Sequence, residues 1–492
     1  MTKCLWTVIC AIIAAAPASA TITYHITARV ALTPPLVQVD MSFQLPRAEC
    51  IKLEAPAWSP GDYQLQHFGK YILSLSATTG SGLPLKVSRG RLPDEWRIAC
   101  GNPGMVHVQY FVPNEPPGNF SQNVQLTNNL LFINGPAALL YVQGRKEESC
   151  QLTVTIPSGW QVSSDLPSQG GEHLHRLHAA DYDQLADAPL VAAPRLLIYH
   201  FTDHGCRYSL VFYHHLASLQ NPARWVSVFH RIAHAENDLM QITPYTHYHF
   251  LLDVGGGLGG LEHLNSCRLA YYPGLNASQY APFVAHELFH SWNVKRLRPA
   301  VLGPFNYQQP AKTRCLWFAE GVTEYFAWIA CRRAGLISVP QFESHFRGLI
   351  ARYIANPARN RVSADTASLM VWSTRSSNGY QGVSYYDQGE LIALCMDLTI
   401  RHLTDQQQDL ASLMRLMYNQ YAMPKPGYHL NDIATALQVV TGKSLTRWFM
   451  QLADSTAQLP LQECLSYAGL DNNLTPNQAS SKETDLRTAW QR

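Results

Sequence analysis

The chain has 492 residues, enough for two to four domains at roughly 150 residues each. Lys and Arg total 37 against 35 Asp and Glu, a net charge of +2. That balance excludes the basic excess a nucleic-acid binder gathers on one face. The apolar share of 47% excludes a largely disordered chain, while the charged share of 15% lies below the ~25% of an average soluble protein.

In chain order, residues 1–20 read as a secretory signal peptide. Lys3 supplies the positive charge, Leu5 to Ala15 is almost wholly apolar, and Ala18-Ser19-Ala20 offers a small-residue cleavage site. The apolar run is shorter than the ~20 residues a helix needs to span a bilayer. The expectation is cleavage near Ala20, a mature chain starting at Thr21, a periplasmic or secreted location, and no membrane span. Two of the eleven cysteines, Cys4 and Cys10, lie in this leader, and the nine others contain no CxxC pair. A cysteine zinc module is thereby excluded, and export permits disulfides whose pairing the sequence does not give.

Residues 21–195 read as an all-β sandwich domain. Thr21 to Val30, Leu36 to Leu45, Tyr71 to Ala77, Val106 to Val112 and Leu152 to Ile156 are short runs rich in Val, Ile, Tyr and Thr. Turn clusters such as Ser59-Pro60-Gly61-Asp62 and Asn114-Glu115-Pro116-Pro117-Gly118 separate them. Residues 196–468 begin with further strands at Tyr208 to His214, His249 to Val254 and Arg268 to Tyr272, around a helix opened by Asn221-Pro222. From Pro282 the pattern is mostly helical. Gln341 to Ile354, Asp387 to Arg401, Asp409 to Tyr421, Asn431 to Val440 and Leu445 to Leu452 carry apolar residues at helical spacing. Residues 469–492 read as a frayed polar tail. The fold class is α+β, with an all-β domain ahead of a mainly helical one.

His286-Glu287-Leu288-Phe289-His290 is an H-E-x-x-H motif, expected by chance roughly 0.03 times in such a chain. Positions i and i+4 share a helix face, so both imidazoles reach one metal, with Glu287 beside it to take a proton from water. Pro282 suits the first turn, and Lys295, Arg296 and Arg298 are expected at the C-terminal end, before Pro299. Glu320, thirty residues after His290, opens another helical run. Two His and one Glu leave a fourth position for water, the pattern of a catalytic zinc, one per chain. Glu324, one turn on, is assigned to orienting a ligand histidine, with an exchange of roles between the two glutamates as the alternative. His214-His215 and His247-Tyr248-His249 read as surface or core histidines, and three Asn-x-Ser/Thr triplets, at Asn119, Asn276 and Asn473, as chance matches.

HELFHSWNVKRLRP, from His286, together with LWFAEGVTEYFA, from Leu316, resembles the glycyl aminopeptidase family of zinc metallopeptidases, gluzincins related to the aminopeptidase N group. The similarity spans nearly all of the mature chain, with Ala57 to Tyr63 and Asn134-Gly135 matching the β-domain pattern. It implies a thermolysin-like catalytic domain, zinc on His286, His290 and Glu320, and Glu287 as general base. Gly259-Gly260-Leu261-Glu262-His263 resembles the family's exopeptidase segment. There the resemblance implies that Glu262 holds the substrate's α-amino group and that Gly259 and Gly260 let its backbone approach. His263 is read either as an assistant or as structural. Ser384 to Gly389 resembles the motif whose tyrosine stabilises the oxyanion, here Tyr386 with Tyr385 as the alternative. Gln388 stands where the family usually has lysine. Family members commonly continue into a PDZ domain. Only 22 residues follow Leu470, so that domain is expected to be missing.

The resulting expectation is a secreted zinc aminopeptidase acting on peptides, with the resemblance implying small N-terminal residues such as Gly or Ala. A zinc endopeptidase of the same fold and an inactive peptide-binding protein are the alternatives, and an intact Glu287 counts against the second.

Overall fold

The computed structural model describes residues 21–99, 102–114, 123–170, 174–272, 274–373 and 379–492. The expected leader, the Asn119 triplet and most of the Asn114 to Gly118 turn lie outside the described residues.

Alternation decides the first domain. In Leu36–Leu45, Val37, Val39, Met41, Phe43 and Leu45 turn inward and are buried, while Asp40, Ser42 and Gln44 turn outward. This strand lies between Ile22–Arg29 and Gly104–Pro113, antiparallel to both, within an eleven-stranded sheet. Leu73–Thr79 and Cys150–Thr155 are the other two strands expected from composition. Shorter strands such as Cys50–Glu54, Pro84–Arg89 and Leu130–Ile133 carry too little pattern to be separated by eye. A four-stranded sheet packs on the large one, and Val39, Tyr110, Leu131 and Leu190 from both share a core.

A third, five-stranded sheet runs in the order Leu197–Asp203, Cys206–His214, His247–Val254, Ser266–Tyr271 and Gly259–Glu262. Its last strand is an antiparallel edge. Helix Pro222–Met240 starts where Asn221 Oδ1 accepts from the Arg224 amide at 3.2 Å. Helices Ala281–Phe289 and Val322–Arg333 are tied by stacking of Phe289 on Phe326, with centroids 4.6 Å apart. The later helices form where spacing predicts them, as Val339–Ala355, Tyr385–Leu403, Leu410–Tyr421, Leu430–Thr441 and Thr446–Ala453. The fold is α+β, a large β-region followed by a helical one.

Two expectations are corrected. The H-E-x-x-H helix stops at Phe289, so Lys295 and Arg296 do not serve its C-terminal dipole. Lys295 Nζ instead reaches Asp187 at 2.7 Å, and Arg296 donates to the Leu264 carbonyl at 2.7 Å. The C-terminal segment is not frayed. Ser480 and Glu483 form a capping box that opens helix Ser481–Trp490. Trp490 is buried against Phe342 and Phe346, and its indole donates to Tyr325 Oη at 3.0 Å. All eight described mature cysteines are free. Among the described residues no helix is long and apolar enough to cross a membrane.

Candidate metal centre

Pro282 occupies the first turn of Ala281–Phe289, as its fixed φ favours. The helix is buried on nearly every side, which holds His286 and His290 rigidly one turn apart. His290 closes the helix yet keeps helical torsions of φ −59° and ψ −20°. Its Nδ1–H donates to the Asn293 carbonyl at 2.7 Å. The His286 Nδ1 pairs with Glu324 Oε2 at 2.8 Å. With the His290 Nδ1 proton given to that carbonyl, its Nε2 presents a lone pair, 3.0 Å from the His286 Nε2. Glu320 Oε2 joins them, 3.2 Å from His290 Nε2 and 3.6 Å from His286 Nε2. Two imidazole nitrogens and a carboxylate oxygen converging this closely fit a cation, and that donor set suits zinc.

Glu320 sits in a π-helical turn, Trp317–Gly321, that leads into Val322–Arg333. Such turns free main-chain carbonyls from the regular ladder. Asn293 Nδ2 answers them, donating to Phe318 O at 2.9 Å and Ala319 O at 3.3 Å. One asparagine thus orients His290 through its carbonyl and steadies the Glu320 turn through its amide. Gly321 and Gly389 allow the 385–403 helix to lie directly on this turn. A Cβ on Gly321 would come within 2.5 Å of the Gly389 Cα.

The β-domain also enters the site. Tyr63 is buried and donates its hydroxyl to Glu320 Oε1 at 2.9 Å. Burial, then the Glu320 carboxylate, push the Tyr63 phenol far above its ordinary value, so it stays a donor. Gly61 adopts φ +94°, and a Cβ there would lie 2.6 Å from Glu262 Oε2. Burial pushes the neighbouring Asp62 carboxyl up to about 6, with Glu262 adding to the rise against a hydrogen bond from Gln66. The Ser59 to Asp62 turn was expected from sequence, whereas nothing in it pointed to a part in the site.

Glu262 lies on the edge strand Gly259–Glu262, and a Cβ on Gly260 would collide with the Glu287 carboxylate. Gly259, in the same edge strand, pairs with Ala270 of the neighbouring strand Ser266–Tyr271. Glu262 and Glu287 are both buried, and Glu262 Oε1 and Glu287 Oε2 have no hydrogen-bond partner among the described residues. Burial pushes the Glu287 carboxyl up, and Glu262 and Glu320 push further, against His286 and His290. Tyr386 lies against the His286 ring, centroids 5.9 Å apart, with Tyr385 4.8 Å from Tyr386. Burial, then Glu320, raise the Tyr386 phenol far above its usual range.

The remaining marked residues find partners away from the converging ligand atoms. His263 Nδ1 pairs with Asp187 at 3.2 Å, beside Lys295. His214 pairs with Asp253 at 3.0 Å, and His247 donates to the Asp165 carbonyl at 2.8 Å. Gln388 is buried with its amide 3.5 Å from the Val362 carbonyl.

The arrangement can hold one divalent metal, move a proton at Glu287, donate a hydrogen bond from a tyrosine and bind a cation at Glu262. Residues 23–194 match the Peptidase M61 N-terminal domain, and residues 279–392 match the M61 glycyl aminopeptidase. No curated protein matches the chain. An aminopeptidase N family protein from Idiomarina loihiensis superposes with a TM-score of 0.83 at 26% identity, over 91% of this chain and 78% of its own. An M1 zinc metallopeptidase from Deinococcus radiodurans superposes with a TM-score of 0.59 at 12% identity, over 90% of this chain and 95% of its own. A mutant of that enzyme is bound to a Tyr-Ser-Ala substrate and gives the same TM-score, 0.59.

Proposed function

The chain belongs to the M61 glycyl aminopeptidase family of metallopeptidases, and from that premise we propose that it releases small N-terminal residues, Gly or Ala, from peptides. The observation that carries this reading is the unpartnered Oε1 of buried Glu262, beside the buried Glu287. A buried carboxylate without a partner is costly, and a substrate's α-ammonium is the charge that pairs it.

In this reading His286, His290 and Glu320 hold one catalytic zinc per chain. Bound zinc would supply a Lewis acid for the peptide carbonyl and lower the pKa of water toward ~7. Glu287 takes the proton of the attacking water and passes it to the leaving amine. Tyr386 donates to the carbonyl oxygen as charge develops there, an effect of about 3 kcal/mol. Glu324 and the Asn293 carbonyl keep the two imidazoles in the ligating tautomer. Glu262 fixes the N-terminus, beside Gly61, where an added Cβ would lie 2.6 Å from that carboxylate.

The deciding experiment compares matched peptides with free and acetylated N-termini. Acetylation should abolish most cleavage. Glu262→Ala should cost about 3–5 kcal/mol in kcat/KM on free-amine peptides and little on acetylated ones. Equal cleavage of both peptides by the parent would select an endopeptidase. Export is part of the same proposal, supported by the leader-like first twenty residues. N-terminal sequencing of exported protein should then begin at Thr21, and a retained Met1 in the membrane fraction would contradict it.

A further inference from the structure

A second group of ligand-type side chains shares no residue with this centre. Strands Leu197–Asp203 and Cys206–His214 are joined through His204 and Gly205, with Asp203 paired to Cys206. Both turn residues have positive φ, +45° at His204 and +76° at Gly205. For histidine that is an uncommon conformation, and here it sets the ring over helix Pro222–Met240. The exposed face of that helix presents His230, His234 and Asp238 at four-residue intervals, the same i, i+4 relation that brings two imidazoles to one point in the metal centre.

The contacts form a closed ring. His204 Nδ1 lies 2.5 Å from Asp203 Oδ2, and its Nε2 lies 3.1 Å from Asp238 Oδ1. His234 Nδ1 lies 2.9 Å from Asp203 Oδ1, and its Nε2 lies 3.5 Å from Asp238 Oδ2. His230 Nε2 adds a further approach to Asp203 at 3.4 Å. Asp203 is fixed beneath them, buried to 8% exposure and held by Asn237 Nδ2 at 3.0 Å. Arg231 and Arg333 line the same open cavity of about 550 Å³. Arg231 donates to the Ala334 carbonyl, while Arg333 lies 3.8 Å from Asp409.

His204 and His234 each turn Nδ1 to Asp203 and Nε2 toward Asp238, so four imidazole nitrogens face the four oxygens of two carboxylates. We propose that Asp203, His204 and His234, with Asp238 and His230 beside them, form a second, surface site for a divalent transition-metal ion of the zinc class. Ligand atoms of Asp203, His204 and His234 already lie within 4.8 Å of one another. Imidazole-rich donor sets select zinc, copper or nickel over magnesium and calcium. An ion there clamps the 203–206 turn to a helix whose opposite face carries buried Trp225, Phe229 and Ile232. The site stabilises that support rather than taking part in turnover.

The test is metal content and the exposure of these histidines in the whole protein, dialysed against buffered zinc at pH 7.5. The parent should carry two zinc equivalents, and the double variant His204→Ala/His234→Ala should carry one with unchanged peptide hydrolysis. All three imidazoles are at least a third exposed, so the variant should keep the circular dichroism of the parent. A second measurement avoids the variant altogether. Zinc, and not magnesium, should protect His204 and His234 of the parent from diethyl pyrocarbonate. One equivalent in the parent, two in the double variant, or histidines modified equally with and without zinc would overturn the proposal.

Discussion

Replacing Tyr63 with phenylalanine isolates what the β-domain contributes to the metal centre. The hydroxyl is the donor to Glu320 Oε1 at 2.9 Å, across 257 residues of sequence, and the ring is buried. Tyr63→Phe keeps the ring and removes one hydrogen bond to a carboxylate. Such bonds contribute about 1.5–3 kcal/mol, and loss of a ligand-orienting partner weakens metal affinity roughly 10- to 100-fold. The two figures agree, because 1.4 kcal/mol is about tenfold. Competition against a zinc chelator should show that loss. Activity at saturating zinc should fall far less, since Glu287, Glu262 and Tyr386 remain in place. Glu320 is also paired with His290 at 3.2 Å, so the carboxylate is not abandoned and the loss should stay within that range. Zinc affinity equal to the parent's would refute the reasoning, as would a Tyr63→Phe protein whose zinc is tight but whose turnover is lost.

Glu287→Gln should keep the catalytic zinc and lose turnover by at least about 10²- to 10⁴-fold, because an amide cannot accept the proton; near-normal rates with zinc bound would move the base elsewhere. Tyr386→Phe should lower kcat by about 3 kcal/mol with KM little changed, and Tyr385→Phe should cost clearly less; the reverse order would give the oxyanion contact to Tyr385. Trp490→Ala should destabilise the fold by about 3–5 kcal/mol in urea unfolding. A variant as stable as the parent would return residues 481–490 to the status of a tail.

Local periodicity made the centre legible. His286 and His290 need only one helical turn to meet, and Glu320 with Glu324 need only another, so a pattern of a few residues carried them. The long alternating strands were legible for the same reason, as Leu36–Leu45 illustrates. What was not legible is tertiary. Tyr63 reaches Glu320 only because the turn before it passes beside Glu262, and no local signal in Pro60-Gly61-Asp62-Tyr63 says so. Asn293 is one polar residue after a helix until its amide is seen closing the carbonyls of a π-turn. Lys295 and Arg296 mimicked helix-ending cations, yet a buried aspartate and the carbonyl of Leu264, in the turn between two strands, claim them. The last helix has a polar sequence in which two buried residues, Leu486 and Trp490, decide its place.

Charge balance inside the centre links the metal to the choice of substrate. Glu262, Glu287 and Glu320 are buried and Glu324 is largely so, around the imidazoles of His286 and His290. Glu320 and Glu324 are paired with His290 and His286, which leaves Glu262 and Glu287 without comparable partners. A divalent ion between His286, His290 and Glu320 offsets one part of this excess. It does nothing specific for Glu262, whose position on the edge strand is fixed by pairing with Cys267. A peptide threaded through by its middle would leave that carboxylate buried and unpaired, at a cost of several kcal/mol. A peptide entering by its free N-terminus brings the missing ammonium with it. The same excess of acid that calls for a cation at the histidines therefore favours an exopeptidase over an endopeptidase, and it does so before any contact with the substrate's side chain is considered.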